Sequence, residues 1–364
     1  MPSTALMGAD RGKRSWMNFE LLKRLCETPG VAGHEDALRA VVREELGPLV
    51  DEVRTDPLGN VIAIKRGTAQ RSVMLAAHMD EIGFIVKWVD GKGFLRLHPL
   101  GGFDPNALFA QRVIVHGTGG ALPGVLMPSV KPIHLRQGDS KPLNLDDYFV
   151  DLGLPSETIA ASVEIGDMVT LERATVRTGD CVTSKALDDR LGLYVMIEAV
   201  RAARDPRATI LAVATVQEEV GLRGAQTAAE GLHPDIGVAL DVTLALDLPG
   251  ESMADQHSVT RLGAGTAIKL TDGSSISDHR LVTHFRRLAR RENIPHQLEI
   301  LPRGGTDAGA IQRSGAGVPS ITLSIPTRYV HTVDETAHVD DIQASVDLLA
   351  RFLEEAHQLD LSYP

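Results

Sequence analysis

The stretch SVMLAAHMDEIG, Ser72 to Gly83, carries an apolar run, Val73 to Ala77, into His78 and Asp80. Such a run reads as a buried strand. A histidine at its end with a carboxylate two residues on suits a metal ligand and its orienting partner. The imidazole binds through one nitrogen while an acceptor fixes the other N–H. Other apolar runs lead into similar groups. TILAVATV is followed by Gln217, Glu218 and Glu219, IGVAL by Asp241, and SITLSIPTRYV by His331. Asp188 and Asp189 stand near the start of a helical segment. Each has an ordinary reading alone: a helix cap for Asp188 or Asp189, a solvated helix start for the glutamates, a turn for Asp241, a core histidine for His331. Together they are costly to bury unless a cation joins them. Neutral imidazole with carboxylate suits zinc, and also cobalt or manganese. Adjacent glutamates point different ways, so one can bind metal while its neighbour faces the substrate as a general base. An aspartate bridging two metals would let them share a hydroxide.

These groups need a scaffold that gathers them. Helical periodicity predicts helices at 18–27, 35–46, 186–203, 221–230, 278–292 and 340–358, and apolar runs predict strands at 61–64, 71–77, 209–216, 236–240 and 320–325. The alternation predicts an α/β fold: a mostly parallel sheet with helices on both faces. Ligands in such sheets bind beyond the carboxyl ends of the strands. From Glu81 to Thr178 the pattern changes to short strand-like segments between Gly, Pro and Asp turns, without a long helix. This predicts an inserted all-β domain, a barrel or sandwich, with Asp139 to Pro155 as a loop-rich interruption. The expected organisation is a loose N-terminal extension at 1–16, a catalytic α/β domain at 17–80 and 179–364, and the β insertion at 81–178.

Bulk properties fit this organisation. A chain of 364 residues exceeds the size at which one core usually stops growing. A hydrophobic content of 43% and a charged content of 23% are ordinary for a globular protein. The net charge of −11 argues against nucleic-acid or anionic-membrane partners. With neither a bilayer-length apolar stretch nor a secretory signal, a cytoplasmic protein is expected. Cys26 and Cys181 suggest no disulfide framework or cysteine zinc site, and read as small buried residues.

Seven ordered segments are more specific than any single group. They are AAHMDEIG at 76–83, KPIHL at 131–135, KALDDRLG at 185–192, QEEVGLRGA at 217–225, ALDVT at 239–243, GGTDA at 304–308 and RYVHT at 328–332. Through them the chain, from about Asn18 to Leu353, resembles the M42 family of metallo-aminopeptidases, the tetrahedral (TET) and glutamyl aminopeptidase group. The resemblance implies two divalent ions per subunit. His78, Asp188 and Asp241 would hold one; Asp188, Glu219 and His331 would hold the other, with Asp188 bridging. The bridging water would be the nucleophile. Glu218 would take its proton and return it to the leaving amine, and Asp80 would orient His78. The resemblance further implies peptide substrates, a PDZ-like insertion, and dimers building towards a tetrahedral dodecamer.

Other positions carry weaker readings. The Gly304–Ala308 loop is expected beside the substrate, or as the cap of a helix through Thr306 or Asp307. Arg223 could face the site or solvent, and His134 has no role beyond its pattern. His338 competes with His331, which is preferred because it follows a strand. His98, His257 and His284 read as ordinary surface or core residues. Rival functions are a co-catalytic deacylase or carboxypeptidase on a similar scaffold, and a catalytically silent shell-forming protein. A glycoside hydrolase would use a carboxylate pair spaced across a sugar, which two histidines and adjacent glutamates fit less well.

Overall fold

The computed structural model describes residues 17–131, 133–135, 142–249 and 260–363. The expected extension at 1–16, and His257, lie outside the described residues. Helices form where apolar positions recur every three or four residues. Asn18 caps Phe19–Glu27, its side-chain oxygen accepting from the Leu21 N–H at 3.2 Å, and Leu21, Leu22 and Leu25 turn inward. Asp278 likewise caps His279–Arg291, accepting from the Arg280 N–H at 2.9 Å. Each such cap contributes about 1 kcal/mol.

Eleven described strands form one sheet, among them Val176–Thr178 from the end of the stretch read as the insertion. Strand Ser72–His78 runs parallel to Thr209–Thr215 on one side and Ile236–Leu244 on the other, and Ile236–Leu244 runs parallel to Ser320–Arg328. Along Ser72–His78, Val73, Leu75 and Ala77 enter the core under helices Leu187–Ala202 and Val339–Glu355. Met74 and Ala76 point the other way, into a second core with Ala225, Ala228 and Ile311 of helices Arg223–Leu232 and Asp307–Gln312. Burial on both faces explains why the run is continuously apolar.

The sheet is mixed, which corrects the mostly parallel sheet expected from the alternation of strands and helices. Its centre is parallel and both ends of the main path are antiparallel, while Thr266–Thr271 branches off Ser320–Arg328 antiparallel and pairs parallel with His296–Ile300. Val61–Lys65 pairs antiparallel with Glu52–Thr55 and with Thr209–Thr215. On the far side Glu335–His338, Cys181–Ser184 and Val176–Thr178 follow Ser320–Arg328 antiparallel. Tight turns such as Asp56 to Asn60 join antiparallel neighbours, and no helix intervenes to reveal such strands in the sequence.

The insertion closes into a six-stranded barrel, ordered Gly83–Val89, Leu95–Leu100, Tyr148–Asp151, Gly120–Pro128, Gln111–Gly117 and Met168–Leu171. Phe84, Val86, Val113, Val115, Leu126 and Val169 fill its own core. Tyr148–Asp151 falls in the stretch read as a loop; four residues are too few to show an alternation.

Where the chain leaves the sheet and later returns, buried charges meet. Glu81 takes the Lys185 ammonium on one oxygen and faces the Arg190 guanidinium at 3.5 Å with the other. Arg190 also donates to the carbonyls of Leu25, Thr28 and Gly30. Glu81→Ala leaves buried cations without their carboxylate. It is expected to cost about 3–5 kcal/mol, read as a lower urea midpoint at unchanged slope.

Candidate active site

The fold delivers the chemically capable residues to one end of the sheet. His78 closes its strand, and Glu218 and Glu219 follow Thr209–Thr215. Asp241 lies inside Ile236–Leu244 rather than just past a strand, because that strand runs on through Val242 and Thr243. The pairing of Ala239 with Ala76 brings Asp241 level with His78. His331 follows Ser320–Arg328 in a left-handed backbone conformation, φ 63°. Asp188 and Asp189 precede the regular part of their helix with non-helical dihedrals and a cis peptide between them.

Main-chain carbonyls set both histidine rings. His78 Nδ1 lies 2.8 Å from the Asp80 carbonyl, and His331 Nδ1 lies 2.8 Å from the Gly102 carbonyl. A carbonyl only accepts, so each Nδ1 carries the hydrogen and each Nε2 is turned to the carboxylates. His78 Nε2 is 3.1 Å from Asp188 Oδ1. His331 Nε2 is 3.3 Å from Asp188 Oδ2 and 3.4 Å from Glu219 Oε1. The Asp80 carboxylate, read from sequence as the partner of His78, is 3.7 Å from that ring. It accepts instead from the backbone N–H groups of Glu218 at 3.0 Å and Glu219 at 3.1 Å. Asp80 thus holds both the histidine and the glutamate pair, through different atoms.

Donor atoms of His78, Asp188 and Asp241 lie within 4.8 Å of one another, as do those of Asp188, Glu219 and His331, and those of His78, Glu218 and Glu219. The electrostatics fit cations here. Burial, then the charges of Asp241, Asp307 and Glu219, raise Glu218 well above the ordinary carboxylate range, against the pull of His78. Burial and the Asp188 charge do the same to Asp241. Burial opposes charge on His331, yet hydrogen bonds to Asp188 and Glu219 hold its pKa up at about 12. Asp188 stays below the usual range despite burial, because both histidines bond to it. Divalent ions would relieve the crowding of carboxylates and displace protons from both Nε2 atoms.

These shifts give stability a pH dependence. Groups with raised folded-state pKa bind more protons folded than unfolded, so stability falls as pH rises through those values. Glu335, raised to about 8 by burial, loses its contribution across this range, and His331 acts in the same direction above its ordinary value. Chelated protein should therefore melt at a lower temperature at pH 8 than at pH 5.5, and added zinc should remove most of the difference.

The floor opens into a cavity of about 580 Å³, walled by Leu222, Leu244, Leu301 and Val330 and edged by Arg303 to Thr306. The Gly304 and Gly305 part of the GGTDA loop is thus beside the site. Asp307 starts its helix, but its side chain accepts from Thr215 Oγ1 at 2.5 Å rather than capping. His338 accepts from the Asp340 N–H at 3.1 Å and so caps Val339–Glu355. Arg223 is exposed and donates to Gln217, His134 and His98 are exposed, and His284 faces Glu355 at 2.8 Å.

Sequence reading missed two buried acids. Asp189 accepts from the His78 N–H at 3.1 Å, steadying that strand end. Glu335 accepts from the N–H groups of Asp188 and His331. Asp189 was visible only as an alternative to Asp188. Glu335 gave no signal, since its bond to the Asp188 N–H spans 147 residues and its bond to the His331 N–H, four residues away, closes an irregular turn rather than a recognisable cap.

Known proteins share this fold and much of its sequence. The chain is 37% identical over 354 residues to a lysyl aminopeptidase of Pyrococcus furiosus, covering 95% of this chain and 99% of the relative. An aminopeptidase from the archaeon Desulfurococcus kamchatkensis superimposes with a TM-score of 0.88 at 36% identity, covering 92% and 94%. The TET1 peptidase of Pyrococcus horikoshii, which can assemble into a tetrahedron or a large octahedral shell, does so with a TM-score of 0.83 at 29% identity, covering 93% and 99%. The profile of the M42 glutamyl aminopeptidases matches residues 59–348, and the chain accordingly belongs to the M42 family and is an aminopeptidase.

Proposed function

We propose that this enzyme removes N-terminal residues from short peptides with two divalent ions in the cavity floor. The carrying observation is the placement of Asp188. Its two oxygens face the Nε2 atoms of two histidines whose Nδ1 atoms are committed to carbonyls. His78, Asp188 and Asp241 would hold one ion, and Asp188, Glu219 and His331 the other. The donors suit zinc, cobalt and manganese. Bound ions would supply a Lewis acid for the scissile carbonyl and lower the pKa of the attacking water.

Glu218 is the general base in this reading. It lines the cavity, and its backbone is pinned by Asp80. Its carboxylate takes a proton from the attacking water and passes it to the leaving amine nitrogen as the peptide C–N bond breaks. Glu218 is near enough to His78 and Glu219 to be a donor itself. The base role is preferred because the other two groupings already employ both Nε2 atoms. Asp80 then acts by position, aligning His78, Glu218 and Glu219 from one turn.

Assembly belongs to the same proposal. The barrel, taken as the PDZ-like module of the family, exposes Trp88 and Phe109, 56% and 42% accessible. With the assemblies of the Pyrococcus horikoshii relative, this supports a homo-oligomer of dimers growing towards a dodecamer. No described helix is long and apolar enough to cross a membrane, and the reading places the enzyme in the cytoplasm.

The test is a panel of aminoacyl p-nitroanilides, each paired with its N-acetyl counterpart, assayed after chelation and after adding zinc, cobalt or manganese. Metal-restored cleavage of free-amine substrates alone is expected. Cleavage of the acetylated series would point to a deacylase. No cleavage despite two bound ions would favour the scaffold.

A further inference from the structure

Glu335 is 1% exposed, and its two oxygens serve two main-chain donors far apart in sequence. Oε2 accepts from the Asp188 N–H at 2.9 Å, and Oε1 accepts from the His331 N–H at 2.7 Å. Both donors belong to candidate metal ligands, and the side chains of the two residues already face each other at 3.3 Å. Glu335 itself pairs across the sheet with Ser184, four residues before Asp188, so its own backbone is anchored beside the segment it holds.

The His331 contact matters for a second reason. His331 sits at φ 63° and Tyr329 at φ 61°, a conformation that non-glycine residues adopt only when their surroundings impose it. Val333, two residues on, packs into the barrel core, so the segment is pulled towards the barrel on one side. The Glu335 bond to the His331 N–H ties the same segment to the sheet. A neutral side chain of similar size could not do both jobs. A glutamine offers one oxygen acceptor, and its NH2 group would face the other N–H, donor against donor.

We infer that Glu335 is a positioning residue that sets the geometry of the Asp188, Glu219 and His331 group by holding the main chain of two of its members, and so tunes ion affinity there more than at the His78, Asp188 and Asp241 group. The inference rests on the two-ion reading. Residues that orient ligands this way commonly change metal affinity by about 10–100-fold when replaced.

Cobalt titration of chelated, full-length protein tests it, followed by visible absorption and by metal content after gel filtration. Wild type is expected to retain two ions. Glu335→Gln is expected to retain one, with the weaker ion's affinity lowered at least about tenfold and the stronger ion's affinity moved less. The double variant with His331→Ala should bind cobalt no more weakly than His331→Ala alone, because the two changes act on one site. If Glu335→Gln does not fold, Glu335→Asp, which keeps the charge but is one methylene too short to reach both N–H groups, should show the same selective loss. Two ions bound with wild-type affinities in either variant, equal weakening of both ions, or additive losses in the double variant would each overturn the inference. Wild-type protein that binds no cobalt would overturn the two-ion reading itself, a result distinct from the others because it appears before any substitution.

Discussion

Glu218→Gln is expected to lower kcat by about a thousandfold while both ions stay bound. Glutamine keeps the size of the side chain and leaves the backbone bond to Asp80 untouched, since that bond uses the Glu218 N–H. The variant loses the capacity to accept a proton from water and give it to the leaving nitrogen. KM should change little, because the walls of the cavity at Leu244, Leu301 and Val330 are unaltered. Metal content by elemental analysis, measured beside kcat on the best p-nitroanilide, separates the roles. A fall in metal content that matches the fall in kcat would make Glu218 a ligand, which its closeness to His78 and Glu219 allows. Near-normal kcat with two ions bound would remove it as the base.

Asp188→Ala should have a larger effect of a different kind. Asp188 belongs to two of the three donor groupings and faces both histidines, at 3.1 and 3.3 Å. Its loss removes the shared donor, so content should fall towards zero ions per chain at micromolar metal. Activity should fall at least as far as in Glu218→Gln. Because the ions are lost together, adding His78→Ala should cost little more: groups acting as a unit are not additive. Retention of two ions in Asp188→Ala would show that the groupings are independent and that no bridge exists.

Much of this site is legible in the sequence because its members end or succeed buried strands. His78, Glu218, Glu219 and His331 each stand at or just past the close of an apolar run, and the structure brings them together. Asp241 is marked in the same way although its strand continues past it; the run IGVAL merely happens to stop at the carboxylate. Periodicity places the main helices to within a few residues, since burial of one face imposes the spacing. The antiparallel margins of the sheet are not legible. Only Val61–Lys65 shows there as an apolar run; the other strands have three or four residues, too few to show an alternation. The lack of a local pattern also hides Glu335 and reduces Asp189 to an alternative. A carboxylate accepting from scattered main-chain N–H groups looks, in one dimension, like any other acid. Asp80 shows a finer limit. Its partnership with His78 is readable, but which of its oxygens serves the ring is decided by where the glutamate pair comes to lie.

The contact between the Gly102 carbonyl and His331 spans 229 residues and joins the mouth of the barrel to the edge of the sheet. Contacts of such separation close late, because the entropy of a long loop is overcome only after local structure has formed. Until the barrel has closed and seated itself, the His331 ring lacks the acceptor that fixes its tautomer. Competence is then a property of the finished fold, since the ring comes from the sheet and its acceptor from the barrel. A chain still emerging or half assembled would carry every residue of the site and yet be unable to trim its own neighbours.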